Sequence, residues 1–167
     1  NYSGDTTVKY TVNAQQSYKA TAATKTYNAK NQTTKVTVKY GNTVLKRGTD
    51  YKITGVTKAK NAGKYKITVK GINNYKGTKT IYYTINKAAQ KSVKVKVNAS
   101  KKKITVSGVK AKAKVTYKSA NKKVKVKNGK ITVGKGVKKG TKVRITVKVA
   151  ATKNYKAYSK SIIYKVK

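Results

Sequence analysis

Val93-Lys94-Val95-Lys96-Val97 alternates strictly between apolar and charged residues. So do Val124-Lys125-Val126-Lys127 and Lys142-Val143-Arg144-Ile145-Thr146-Val147-Lys148-Val149. A period of two puts successive side chains on opposite faces of a strand, and β-branched residues suit a pleated surface. Each run therefore predicts a half-buried strand, with Val and Ile on a core and Lys, Arg or Thr in water. Turn signals separate the runs: Tyr40-Gly41-Asn42, Arg47-Gly48-Thr49-Asp50, Asn61-Ala62-Gly63, Asn128-Gly129 and Lys139-Gly140. Asn128-Gly129 between Val-rich runs predicts a tight hairpin. The single helical pattern is weak, a run of small residues at Ala20-Thr21-Ala22-Ala23. Many short strands with frequent turns predict an all-β chain of small sandwiches or barrels.

The pattern also repeats. Asn1-Tyr2-Ser3-Gly4 returns as Asn74-Tyr75-Lys76-Gly77, and the following Asp5 to Asn13 parallels Thr78 to Asn86. A looser third copy is Asn154-Tyr155-Lys156-Ala157, followed by Ile162-Ile163-Tyr164-Lys165-Val166. Each copy is a turn and then a β-patterned segment that closes a unit. Solenoids repeat every 20–50 residues or so; the longer spacing here predicts whole small domains in tandem. The expected organisation is the terminal strand of a preceding repeat at 1–16, a first domain at 17–88 and a second at 89–167, with the boundary near Ala88–Ser92. With a polar start and no initiator Met, the chain is expected to be a fragment or mature piece of something longer.

Charge sharpens this picture. The 167 residues carry 43 Lys and Arg against 2 Asp and Glu, a formal net charge of +41. A small domain stays soluble with a net charge of about 2–8, so solubility does not account for the excess. Such a field opposes compaction and attracts polyanions. Drift towards Lys and Asn codons would raise the lysine count but would not remove every Glu. Arg47 and Arg144 are the only arginines. Lysine is a hydrated point charge on a flexible stem, whereas arginine's planar fork fixes geometry. The sequence thus predicts diffuse attachment more than shape-reading. It is not the sequence of a disordered basic tail, because Lys alternates with Val, Ile and Tyr.

Absences bound the chemistry. There is no Cys, His or Glu, hence no disulfide and no thiolate or imidazole metal site. General acid–base catalysis near neutral pH has only Asp5, Asp50, Lys and Tyr to draw on. No catalytic residue, cofactor or metal is expected. No apolar run approaches the roughly 20 residues that span a bilayer as a helix, so no membrane insertion is expected.

Two stretches resemble known families. Thr26-Tyr27-Asn28-Ala29-Lys30, Gly48-Thr49-Asp50-Tyr51, Asn61-Ala62-Gly63, Val69-Lys70-Gly71-Ile72 and Asn74-Tyr75-Lys76-Gly77 resemble a repeat of secreted bacterial proteins. Ala29 departs from that pattern, which usually has Gly there. Val115 to Val124, Asn128-Gly129-Lys130-Ile131-Thr132-Val133 and Gly140 to Val147 resemble the bacterial Ig-like (group 2) domain. Lys125 stands where that family often has Ala, and many of its acidic or neutral surface positions are Lys here. The resemblance implies an Ig-like sandwich for the second domain and a sandwich or β-grasp for the first. It also implies an extracellular, cell-surface or wall-associated setting, without catalytic machinery.

The candidate binding residues follow from charge and aromatic placement. Lysines concentrate in the second domain at Lys101, Lys102, Lys103, Lys110, Lys112, Lys114, Lys122, Lys123, Lys138 and Lys139, a diffuse polyanion-binding set. Tyrosine is the only aromatic. The copies at matched positions in the repeats (Tyr2, Tyr75, Tyr155, Tyr10, Tyr83, Tyr164) are expected in cores and corners, replacing the absent Phe and Trp. The less regular Tyr18, Tyr82 and Tyr158 are candidates to be exposed and to stack on sugars or bases. Asp50 reads as a turn cap rather than as the carboxylate of an intramolecular Lys–Asn crosslink. Two functions remain open at this point. One is an adhesive module for anionic polymers such as acidic polysaccharide, teichoic acid, mucin or extracellular DNA, with nucleic acid bound non-specifically. The other is a stalk or fibre repeat contacting neighbouring repeats of the same protein.

Overall fold

The computed structural model describes residues 17–167; the expected terminal strand at 1–16 lies outside them. The chain is all-β. The first nine strands are β1 (Lys19–Ala22), β2 (Lys25–Thr26), β3 (Gln32–Thr33), β4 (Val36–Tyr40), β5 (Thr43–Val44), β6 (Tyr51–Gly55), β7 (Lys58–Ala59), β8 (Gly63–Gly71) and β9 (Thr78–Asn86). Then come β10 (Lys94–Asn98), β11 (Lys103–Ser107), β12 (Val115–Ser119), β13 (Val124–Lys127), β14 (Lys130–Val133), β15 (Lys142–Val149) and β16 (Tyr158–Lys165). A 3₁₀ turn at Lys110–Lys112 is the one helical element among the described residues. A β-grasp, left open for the first domain, needs a helix for its sheet to hold, and none is there.

The contacts define two compact units. The first holds 17–25, Asn31–Ala59 and Lys64–Thr84; the second holds Thr26–Lys30, Lys60–Gly63 and Ile85–Lys167. The two early segments join the second unit through the Asn154-Tyr155 turn. Ala62 N–H donates to Asn154 Oδ1 at 2.8 Å, Asn154 Nδ2 donates to Asn61 Oδ1 at 3.0 Å, and the Tyr27 and Tyr155 rings meet edge-on at 5.4 Å.

In the first unit, β1, β4 and β5 form one sheet in that order, and β2-β9-β8-β6 forms another. The buried hydrophobic residues are Tyr18, Val38, Leu45, Tyr51, Ile67, Val69 and Tyr83. The small-residue run at Ala20–Ala23 is not helical. Ala20 pairs with Val38 and Ala22 with Val36 in the β1–β4 ladder, and this tertiary pairing overrides a weak local propensity. Gly71 is dictated by close approach: a Cβ there would lie 2.7 Å from the Tyr75 carbonyl oxygen and 2.9 Å from the Tyr18 ring.

The second unit stacks a four-stranded sheet, β10-β11-β14-β13, on a three-stranded sheet, β12-β15-β16. All pairings are antiparallel. Val95, Ile104, Val124 and Ile131 of the first sheet share one core with Val143, Ile145, Val147, Val149 and Tyr164 of the second. The alternating runs at Val124–Lys127 and Lys142–Val149 are β13 and β15 to the residue. Asn128 and Gly129 close the β13–β14 hairpin with φ 50° and 79°, the left-handed pair that a two-residue hairpin matched to strand twist requires.

Candidate functional site

The ten turn-rich lysines named from the sequence are all exposed. Lys101 and Lys102 lie in the β10–β11 turn and Lys103 opens β11. Lys110, Lys112 and Lys114 lie between β11 and β12. Lys122 and Lys123 lie between β12 and β13, and Lys138 and Lys139 between β14 and β15. Local polar side chains and backbones set these turns. Lys101 N–H donates to Asn98 Oδ1, Lys123 N–H to Asn121 Oδ1, Lys110 N–H to Gln90 Oε1, and the Thr141 hydroxyl to the Lys138 carbonyl. Such Asx and Ser/Thr turns use the lysine backbone and leave the ammonium to solvent. Apart from Lys103, the ten lie on four different connections between strands.

The strands bring together a different set. Within β10, β11, β13 and β14, alternation buries Val95, Ile104, Val124 and Ile131 and turns Lys94, Lys96, Lys103, Lys125, Lys127 and Lys130 outwards, all exposed. Register then aligns Asn98 with Lys103, Lys103 with Lys130, and Lys130 with Lys127. The result is a row of three lysines on neighbouring strands, which run about 5 Å apart. Only Lys103 belongs to both sets. The alternation in the sequence predicts that Lys94, Lys96, Lys125 and Lys127 face water, but no local sequence signal places β11 beside β14.

Like-charge registers recur elsewhere. Lys19 faces Lys39, Lys52 faces Lys70, and Lys142 faces Lys165. Directly opposed like charges destabilise a sheet, by up to about 1 kcal/mol per pair. Asp50 is the only acid among the described residues, and its carboxylate accepts the Lys46 N–H at 2.7 Å while Asp50 N–H donates to the Lys46 carbonyl. That is the turn cap expected from the sequence.

The tyrosines divide. Tyr18, expected to be exposed, is instead 1% exposed. Its hydroxyl lies 2.8 Å from the Val69 carbonyl and 2.9 Å from that of Gly77, and it accepts Gly71 N–H at 3.0 Å. It therefore stacks on no ligand; a phenol that bonds three backbone groups is drawn inside. Burial pushes its pKa up, with the Gly71 bond opposing. Tyr83 and Tyr164 are buried as expected of core aromatics. Burial also raises the pKa of Tyr83, with Tyr65 stacked at 5.1 Å adding to the effect, and that of Tyr117. Tyr82 is exposed, with Lys64 Nζ 4.4 Å from its ring centroid. Tyr158 is half-buried and packs on the second core, beside an open hollow of about 430 Å³ that it lines with Thr116, Lys148 and Ser159.

Among the described residues no helix is long and apolar enough to cross a membrane. Comparison with family models, with curated proteins and with solved structures gives no match to this chain.

Proposed function

We propose that this chain is an extracellular adhesive module of a bacterial cell surface that holds anionic polymers through many weak lysine contacts. The observation that carries the reading is the placement of the lysines. They cover the outer sheet faces, several in like-charge registers, with one acid among the described residues to offset them. A polymer that threads its charges between such lysines relieves their repulsion as it binds and releases its own counterions. The cell-surface setting is supported by the four-plus-three strand order of the second unit, which is the order of a constant-type immunoglobulin sandwich. It is supported further by the resemblance of residues 115–147 to the bacterial Ig-like domain.

Binding isotherms with a polyuronate, teichoic acid, mucin and duplex DNA, recorded across salt, test the proposal. If about six charges are engaged on a duplex-like polyanion, affinity falls roughly a thousandfold between 50 and 200 mM salt. No single Lys→Ala change should dominate. An interaction insensitive to salt and abolished by one substitution would overturn the reading. Absence of saturable binding to any of these polymers would leave the stalk role.

A further inference from the structure

We propose that the outer face of the β10-β11-β14-β13 sheet is a track for a linear acidic polysaccharide, which crosses the strands along the row Asn98–Lys103–Lys130–Lys127. This rests on the polyanion reading and names its site and substrate class. Along any one of these strands, outward residues recur only every second position, about 7 Å apart. On β11 and β14 the lysine is followed by hydroxyls, Thr105 and Ser107 on one strand and Thr132 on the other. Across the strands, by contrast, three ammonium groups follow one another without interruption. The densest line of positive charge therefore runs perpendicular to the chain direction.

The surroundings of the row favour a glycan over a nucleic acid. Asn98 ends the row, and Thr105 and Thr132 flank it on this face, set between Lys96 and Lys125; the amide and the hydroxyls donate to and accept from sugar hydroxyls. No aromatic points outwards from these four strands, so bases have nothing to stack on. Neither arginine lies on them, and among the described residues there is no α-helix to enter a groove. A carboxylate on each sugar would meet one lysine per strand, and the ring hydroxyls would meet the amide and threonines.

Two triple variants of equal charge test this: Lys103→Gln/Lys127→Gln/Lys130→Gln on the row, and Lys101→Gln/Lys122→Gln/Lys138→Gln in the turns. Binding to polygalacturonate is measured for both and for the unmodified chain at 50 mM salt, with single-stranded DNA of matched charge in parallel. The row variant should lose about tenfold or more in affinity, the turn variant less than about threefold. The row variant should also melt about 2–4 °C higher without ligand, because two like-charge registers are gone; the turn variant should not. Equal losses in the two variants would overturn the row and leave diffuse binding standing. No polyuronate binding by the unmodified chain would overturn both. DNA bound as tightly, with the same dependence on the row, would make nucleic acid the occupant instead.

Discussion

The two units bury different chemistry. The second closes on an aliphatic cluster, Val and Ile from both sheets, with Tyr164 the one fully buried aromatic. The first combines two nine-residue strands, β8 and β9, with several of two residues, and relies on Tyr18, Tyr51 and Tyr83 alongside Val38, Leu45, Ile67 and Val69. Tyr18 uses its hydroxyl to tie Val69, Gly71 and Gly77. The hydroxyls of Tyr83 and Tyr164 are buried with no hydrogen-bond partner among the described residues. In a chain with no Phe, tyrosine therefore fills two roles: an apolar body anywhere, and a polar clamp at one place in the first unit.

The largest expected effects test whether each unit has its own closed core. Ile145 and Ile67 are fully buried, one in each unit. Replacement of either by Ala should cost about 2–5 kcal/mol in urea unfolding, from lost transfer energy plus the residual cavity. A cost under about 1 kcal/mol at Ile67 would mean that the tyrosines alone hold the first unit, and the contrast between the units would be sharper than drawn here.

Next in size is the tyrosine contrast itself. Tyr18→Phe should destabilise by about 1–3 kcal/mol, since it strips a buried cluster of backbone groups of its partner. Tyr83→Phe and Tyr164→Phe remove hydroxyls that lack partners and should be neutral or stabilising by up to about 1 kcal/mol. Equal losses at all three positions would erase the distinction between clamp and filler.

This division of roles could not be seen in the sequence, although much of the fold could. Where alternation runs for several residues, as in β13 and β15, strand limits are legible because one face must be buried and the period is two. In the first unit several strands are two residues long, such as β3 and β5. There, distant pairing decides, and a small-residue run such as Ala20–Ala23 carries no periodicity to read. The burial of Tyr18 is illegible locally for a related reason: the three backbone groups that draw it inside come from residues 51 to 59 positions away. The lysine row stayed hidden because runs such as Lys101-Lys102-Lys103 are visible in one dimension. Lys103, Lys130 and Lys127 become neighbours only through register.

Alkaline titration compares the units through their phenols. Burial raises the pKa of Tyr18 and Tyr83 in the first unit and of Tyr117 in the second above the ordinary 10.0. A raised folded-state value means that the unfolded chain loses its proton first. The stabilisation is full below about pH 10 and is lost as pH rises through the folded values. Tyrosinate absorbance should therefore show a late-titrating fraction that joins the main transition in denaturant. Tyr18→Phe and Tyr83→Phe should remove part of that fraction from the first unit and leave the Tyr117 contribution. A single transition at the ordinary value in the folded protein would contradict the burial of all three.

The smallest effect separates local repulsion from the overall field. Lys52 faces Lys70 in the first unit and Lys142 faces Lys165 in the second. Lys70→Glu and Lys165→Glu each turn an opposed like-charge pair into an opposite-charge pair, worth about 0.2–1 kcal/mol on a sheet face. Lys91→Glu, at an exposed position outside the strands, changes the net charge equally without altering a register. If register matters, both strand variants should be more stable than the Lys91 variant at low salt. The advantage should shrink as salt approaches 1 M, where the Debye length is about 3 Å. A gain at Lys70 but none at Lys165 would place the strain in the first unit alone, since Lys142 and Lys165 sit at the ends of their strands, where the chain can splay. Equal gains at all three positions would mean that only the total charge counts, and the sheet registers would then carry no special tension for a polyanion to relieve.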